Sequence, residues 1–320
     1  MSTYAFRGNV HFIEQIQERL TQAGFTREGE VEAAGFVITY CTTMTQLEDL
    51  YFGDDGLLQR MVEGAQMIDM SPVTPNFADE MNAVATLSGF SMVTAPAVVR
   101  NKVAAHGLER ENLITFCYGE GDALLRAEAL LETVFSAREE RSSAAACQLA
   151  RMTITIQDTA QIMSAVEALA LSKGARTLIL GTEVPPSSPA ATTPMVADVL
   201  EAVAQKRFNG SYSVEMLMAE LSSILMAADD HEIILPQVES AFHLLELLAV
   251  IGGASKSPAA LALVYGSDHD GESYGLDWSR ANALYQGDEG PVDEADEEGF
   301  DEEDDYLNEM FGISTGYSSN

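Results

Sequence analysis

The first half of the chain alternates short apolar runs with amphipathic stretches. Residues 3–7, 36–40, 65–70, 91–95 and 113–118 are apolar runs rich in Val, Ile, Phe, Tyr and Met. Their length and residue types predict buried strands. Between the first two, residues 11–23 have helical spacing, with Phe12, Ile13, Ile16 and Leu20 on one face and Gly24 as the stop signal. Residues 45–51 and 56–62 predict short helices, and 75–88 and 122–135 longer ones. Strands alternating with helices predict an α/β sheet with parallel strands.

After about Arg141 the strand pattern stops. Residues 143–172 read as one long helix of mostly Ala, Leu, Ile and Met, and 193–206, 212–229 and 236–250 add three more helices. Trp278, in DWSRANALY, marks a last short helix packed on the body. From Tyr285 onward there is no Lys or Arg, and residues 293–305, DEADEEGFDEEDD, are a block of like charge. Such a block buries too little surface to order itself and is expected to be disordered. It ends in an apolar tip at residues 306–313, YLNEMFGI. The segment reads either as a solubilising tail or as a docking peptide. The expected organisation is an α/β domain at 1–141, an all-helical domain at 142–284 and an acidic tail at 285–320.

Composition narrows the function classes. At 320 residues and 47% hydrophobic content, the chain can bury two cores. A net charge of −33, with only four lysines, excludes nucleic acid as the expected partner and argues against anionic membrane surfaces. No apolar run is long enough to span a bilayer, and MSTYAFRGN lacks signal-peptide character. Cys41, Cys117 and Cys147 match no metal spacing and read as reduced, packed thiols, which suits a cytoplasmic protein. The sequence Asp268-His269-Asp270-Gly271-Glu272 has the look of a calcium loop but lacks the ligand spacing and the closing Glu. His106, His231 and His243 have no ligand-spaced neighbours, so no metal is expected.

The most specific stretch is residues 65–96, AQMIDMSPVTPNFADEMNAVATLSGFSMVTAP. A strand ends in Asp69-Met70-Ser71, a Pro-containing turn opens a helix, and a second strand ends in Thr94-Ala95-Pro96. This resembles the β-hydroxyacid dehydrogenase family of the 3-hydroxyisobutyrate dehydrogenase type, with its Asp-x-Ser-Thr-x-x-Pro and Asp-Ala-Pro-Val-Ser-Gly-Gly segments. The resemblance covers residues 1–266. It implies a Rossmann-like NAD(P)-binding domain joined by a long helix to an all-α domain, a homodimer built on the helical domains, and hydride transfer between a small hydroxy acid and the nicotinamide.

At the first strand-to-helix turn the family writes Gly-x-Gly-Asn-Met-Gly, and this chain writes Phe6-Arg7-Gly8-Asn9-Val10-His11. Glycines there let the backbone approach a pyrophosphate at the helix N-terminus. Gly8 and Asn9 remain, and Phe6 and His11 replace the outer glycines. Either these side chains close the phosphate site, or Arg7 and His11 offer it positive charge. Between Gly24 and the strand at 36–40, about one strand–helix unit is expected to be missing. That would leave an adenosine ribose without its usual partner. The cofactor positions that the resemblance implies are Gly8, Asn9, Val10, Cys41, Thr42, Thr43, Met70 and Ser71.

The family pattern Gly-x-x-Gly-x-Gly-x-x-x-Lys-x-x-x-Asn falls on residues 139–152, EERSSAAACQLARM. Its glycine positions hold Glu139, Ser142 and Ala144, its Lys position Gln148 and its Asn position Met152. A glutamine has no proton to exchange near neutrality, so it cannot serve as general acid or base. The Ser-Gly-Gly carboxylate cradle becomes Val98-Val99-Arg100, in which Arg100 either pairs with a carboxylate or faces solvent. Ser71 is retained, with Pro72 in place of the Thr, and a Lys-Asp-Leu triplet becomes Ala219-Glu220-Leu221. The expectation is a degenerate member acting as a binding or assembly subunit. The alternatives are an active NAD(P)-dependent oxidoreductase with a site rearranged around Arg100 and His11, and a protein that docks partners through its acidic tail.

Overall fold

The computed structural model describes residues 2–175, 193–266 and 271–281. The acidic tail and the Asp268-His269-Asp270 segment lie outside them. Eight strands form one sheet: β1 (Thr3–Gly8), β2 (Thr26–Arg27), β3 (Phe36–Tyr40), β4 (Gln66–Asp69), β5 (Ser91–Thr94), β6 (Ala97–Val99), β7 (Leu113–Gly119) and β8 (Ala137–Glu140). Their order begins β2-β1-β3-β4-β5, all parallel.

The strand pattern alternates sides with period two. Tyr4 and Phe6 of β1, Ile38 and Tyr40 of β3, and Ile68 and Met70 at β4 enter one core, with Phe12, Ile16 and Leu20 of α1 (Val10–Gln22) and Leu130 and Leu131 of α5 (Ala123–Val134). Ala5, Val37 and Met67 enter the opposite core. There they meet Leu47 and Tyr51 of α2 (Met44–Phe52), Leu57 of α3 (Leu57–Arg60) and Met81 and Ala85 of α4 (Pro75–Leu87).

Two expectations are corrected. First, the sheet is not all parallel, because β7 runs antiparallel to both β5 and β6. The pairs Val93↔Gly119 and Ala97↔Thr115 share one register, so β5 and β6 are a single line interrupted at Pro96, which has no N–H to donate. The Thr115 hydroxyl donates to the Pro96 carbonyl at 3.0 Å across the interruption. No crossover helix lies between β6 and β7, only a single 3-10 turn at Arg110–Asn112, so the chain returns antiparallel. Second, the strand–helix unit after α1 is shortened rather than missing. The two residues of β2 pair with Thr3 and Tyr4, and a single 3-10 turn, Val31–Ala33, stands where a helix would be.

The remaining elements are helical. The 32-residue α6 (Ala144–Ala175) packs on α4 and β7 and on α7 (Pro194–Ala204), α8 (Val214–Asp229) and α9 (Pro236–Leu248). It therefore belongs to both halves. Ser and Thr caps start several helices: Thr43, Thr74, Thr193 and Ser213 each accept a first-turn N–H.

Gly8 closes β1 at φ +114°, where a Cβ would lie 2.1 Å from the Tyr40 carbonyl oxygen. Gly24 also has positive φ, +89°, but open space around it. The Gly8→Ala chain should therefore lose several kcal/mol, on the order of 3 or more, whereas Gly24→Ala should lose about 1. Urea unfolding of both variants checks this, and equal losses would mean that the turn tolerates a side chain.

Candidate functional site

The C-terminal ends of β1, β3 and β4 converge beside the start of α6. Asp69 ends β4, and its Oδ1 accepts from the Thr39 hydroxyl at 2.8 Å, the Ser71 hydroxyl at 2.7 Å and the Ser71 N–H at 3.3 Å. Ser71 Oγ in turn accepts from the Cys41 N–H at 3.0 Å. Burial pushes the Asp69 carboxyl up to about 6, against the lowering effect of the Ser71 and Thr39 donors. Asp69 thus locks the ends of β3 and β4 together rather than facing a ligand.

Gln148 is fully buried in the first turns of α6. Its Nε2 donates to the Ser71 carbonyl at 3.0 Å, and its Oε1 accepts from Arg151 Nε at 2.8 Å. Arg151, equally buried, donates from Nη2 to the Ser223 hydroxyl at 2.8 Å and to the Val73 carbonyl at 3.3 Å. One helical turn further along α6, Thr155 donates to Glu220 Oε2, and Tyr212 donates to Glu220 Oε1 at 2.7 Å. Lys102, with no exposed surface, sits 3.5 Å from Glu220 and 3.6 Å from Asp158 and donates to the Val99 carbonyl at 3.1 Å. Its Nζ also lies 5.3 Å from the centre of the Tyr212 ring. Two cations and two carboxylates thus form a buried seam between the sheet and α8. Burial lowers the Arg151 guanidinium and raises the carboxyl of Asp158.

Above the seam is a cleft of about 250 Å³. Thr42, Thr43 and Pro72 line it from the sheet, and Glu215, Met218, Ser223 and Phe242 from the helices. Small-molecule sites begin at roughly 300 Å³, and neither the Gly8–Val10 turn nor Glu28 lines this cleft.

The profile described as the NAD binding domain of 6-phosphogluconate dehydrogenase matches residues 3–138. An NAD-dependent L-serine dehydrogenase of Pseudomonas aeruginosa is 25% identical over 238 residues, 71% of this chain and 77% of that protein. A 3-hydroxyisobutyrate dehydrogenase of the same organism is 25% identical over 268 residues, 80% of this chain and 81% of that protein. Residues 3–138 thus match an NAD-binding domain, and both curated relatives that align over most of the chain are dehydrogenases of the β-hydroxyacid type. Among solved structures, the 3-hydroxyisobutyrate dehydrogenase of Salmonella typhimurium superposes with a TM-score of 0.64 at 15% identity, covering 82% of this chain and all (100%) of that one. That of Mycobacterium tuberculosis, solved with L-serine, gives 0.62 at 19%, covering 83% and 100%. At these identities the superpositions speak to the fold.

The family's NAD-binding half can be tested against the residues present. Gly8 and Val10 are exposed at the α1 N-terminus, and the first turn of α1 carries no acidic residue. Phe6 does not obstruct the turn, since it is buried in the core. His11 reaches away to the Ser211 carbonyl at 2.8 Å, tying α1 to the helical half. Asn9 caps α1 through the Phe12 N–H at 3.1 Å. Glu28 stands just past β2, about twenty residues beyond Gly8, where Rossmann folds place the acidic ribose partner. Arg7 is engaged on the Phe6 and Gly29 carbonyls, both at 2.9 Å. The pyrophosphate and adenosine half thus fits a dinucleotide.

The reacting end fits less well. Met70, Ser71 and Cys41 are buried beneath the cleft, and of the expected cofactor positions only Thr42 and Thr43 line it. Val98 is buried against Cys147, and Met152 lies in the apolar core. Arg100 is exposed, and its backbone N–H donates to the Asn112 carbonyl at 2.9 Å. The three cysteines are free and buried, and burial pushes Cys41 and Cys147 up to about 12. Among the described residues no group of three His, Cys, Asp or Glu could hold a metal ion, and no helix is long and apolar enough to cross a membrane.

The seam residues Lys102, Arg151, Asp158 and Tyr212 were not among the expected site residues. A signal was available. Gln148, Arg151, Thr155 and Asp158 recur at spacings of three and four along α6 and so share one of its faces.

Two measurements test this electrostatic description. For Asp69, the unfolded carboxyl titrates near 3.8 and the folded one near 6. The stability this group contributes is therefore full below about pH 4 and is lost as pH rises through 6. Relative to Asp69→Asn, the wild type should lose roughly 3 kcal/mol across that window, and a flat difference would refute the raised titration. Lys102→Met leaves Glu220 and Asp158 facing each other without their cation and should cost about 3–5 kcal/mol by urea unfolding. Adding Glu220→Gln should recover part of that loss. If the double variant is no better than the single, the charges are not coupled.

Proposed function

We propose that this family member binds an adenine dinucleotide through its sheet but no longer carries out hydroxy-acid dehydrogenation, and that it acts as a binding or assembly subunit. The observation that carries the reading is Gln148. It stands at the position that the resemblance gives to the proton-transferring lysine, fully buried, with both ends of its amide engaged. It has no proton to exchange and no free face for a substrate.

The backbone at residues 8–10 and the N-terminus of α1 would hold the pyrophosphate, and Glu28 the adenosine ribose. When bound, such a cofactor supplies hydride chemistry; the residues of this chain orient its adenosine end. A carboxylate at Glu28 disfavours a 2′-phosphate, and Arg60 is already paired with Glu30 and Glu32. NAD is therefore the expected form rather than NADP. The helical half is proposed to make a homodimer, which the exposed Ile233 and Ile234 between α8 and α9 support. A cytoplasmic location, supported by the three free thiols, belongs to the same reading.

The second reading is an active oxidoreductase on a small hydroxy acid with a rebuilt site. The observation that favours it is Lys102 beside Tyr212 and Glu220, a lysine brought to the interface from a different element.

Calorimetric titration with NAD⁺, NADH, NADP⁺ and NADPH, together with turnover assays on L-serine and 3-hydroxyisobutyrate, separates the two. The expected outcome is NAD(H) binding, weaker NADP(H) binding and no turnover. Turnover that Tyr212→Phe abolishes would establish the second reading, and no binding by any form would remove dinucleotide recognition. Gln148→Lys should not restore turnover. It should destabilise the fold by a few kcal/mol, on the order of 3, because a buried ammonium would face Arg151 and leave its Nε without an acceptor.

A further inference from the structure

On the helical half, away from the cleft, lies an apolar groove of about 370 Å³. Val166, Leu169 and Ala170 of α6 form one wall, Val203 and Phe208 another, and Leu263, Tyr265 and Tyr274 a third. Lys173 and Lys206 line the same groove. Two of only four lysines in a chain of net charge −33 therefore border one apolar surface. Such a surface suits an apolar segment carried on acidic chain.

This chain contains one. Residues 282–320 hold thirteen acidic residues and no Lys or Arg, and their apolar cluster is Tyr306, Leu307, Met310 and Phe311. The tail also starts in the right place. Tyr274 is part of the groove, and Ala281 follows seven residues later, buried in the core. Seven residues span at most about 25 Å. From there, residues 282–305 supply a linker whose mean reach is about 25–30 Å, longer if its charges repel. A tethered segment at such reach has an effective concentration in the millimolar range, so even a weak groove is filled.

We propose that residues 306–313 of the acidic tail dock in this groove of their own chain, with the aromatic cluster against Leu169, Phe208 and Tyr265 and the acidic flank toward Lys206. The contact is part apolar and part charge, so high salt weakens it without abolishing it.

The test uses the full-length protein. The natural cysteines are buried, so Leu169→Cys paired with Met310→Cys reports proximity under mild oxidation. A control pair places the first cysteine at Leu87, which is 88% exposed on α4 in the sheet half. Docking predicts an intrachain disulfide forming at least tenfold faster than in the control. Lys206→Glu in the same background should bring the rate down toward the control. In a chain without added cysteines, amide exchange of residues 306–313 should be about tenfold slower than that of 293–300, and Phe311→Asp should remove the difference. Equal crosslinking in both pairs together with uniform tail exchange would overturn the proposal. So would disulfides found only between chains, which would assign the groove to a second copy.

Discussion

The guanidinium of Arg151 has no exposed surface, and the two halves of the chain meet around it. It donates to Val73 on the sheet side, to Ser223 on α8 and to Gln148 on its own helix. A buried guanidinium is costly unless its donors are met and its charge is balanced; Nε and Nη2 are met, and Nη1 is not. Glu220 supplies the balance, and Glu220 is itself held by Tyr212, Thr155 and Lys102. Once Arg151 is placed, α8 can sit in very few ways against the ends of the strands. The relative position of sheet and helices is set by satisfying these polar groups, since apolar packing alone specifies an interface less uniquely.

The same network decides what the cleft can offer. Beneath it Gln148, Arg151 and Ser223 hydrogen-bond to one another, while Nη1 of Arg151 is a buried donor without a partner. Asp69 behaves alike, since Oδ1 of its carboxylate is spent on Ser71 and Thr39. Titratable groups with displaced pKa values often mark catalytic sites, but structural networks displace them too. Here the partners of each group are other protein groups, which favours the structural explanation.

Most of the framework was legible in the sequence because period-two strands and capped amphipathic helices state their own faces. The runs at FVITY and QMID, and Phe12, Ile16 and Leu20 on α1, go where periodicity sends them. The shortfalls have physical causes. The two-residue β2 is too short to carry an alternation, and β8, AREE, is a polar edge strand whose pairing comes from β7 rather than from its own residues. The antiparallel turn of β7 follows from the missing crossover helix, which an apolar run alone does not report. Gln148 was legible as a substitution, but its consequence was not. That required Arg151, whose burial has meaning only once Glu220 and Ser223 are seen opposite it.

The dinucleotide turn and the reacting end are held by different parts of the molecule. Gly8 and Asn9 are fixed by β3, through the close approach of Gly8 to the Tyr40 carbonyl, the Asn9 N–H to that same oxygen at 2.7 Å, and the Phe12–Tyr40 stack at 4.1 Å. None of these contacts involves α6. The reacting end, by contrast, is made of α6 and α8 side chains. A change at residue 148 therefore reorganises the seam while leaving the turn as it was. Core patterning and site chemistry are separate requirements on a sequence, and in this chain the Gly8–Asn9 turn and the α6–α8 seam are held by separate sets of contacts. A substitution on α6 would thus leave the contacts that shape the Gly8–Asn9 turn unchanged, because the interactions that hold the turn are not those that hold the seam.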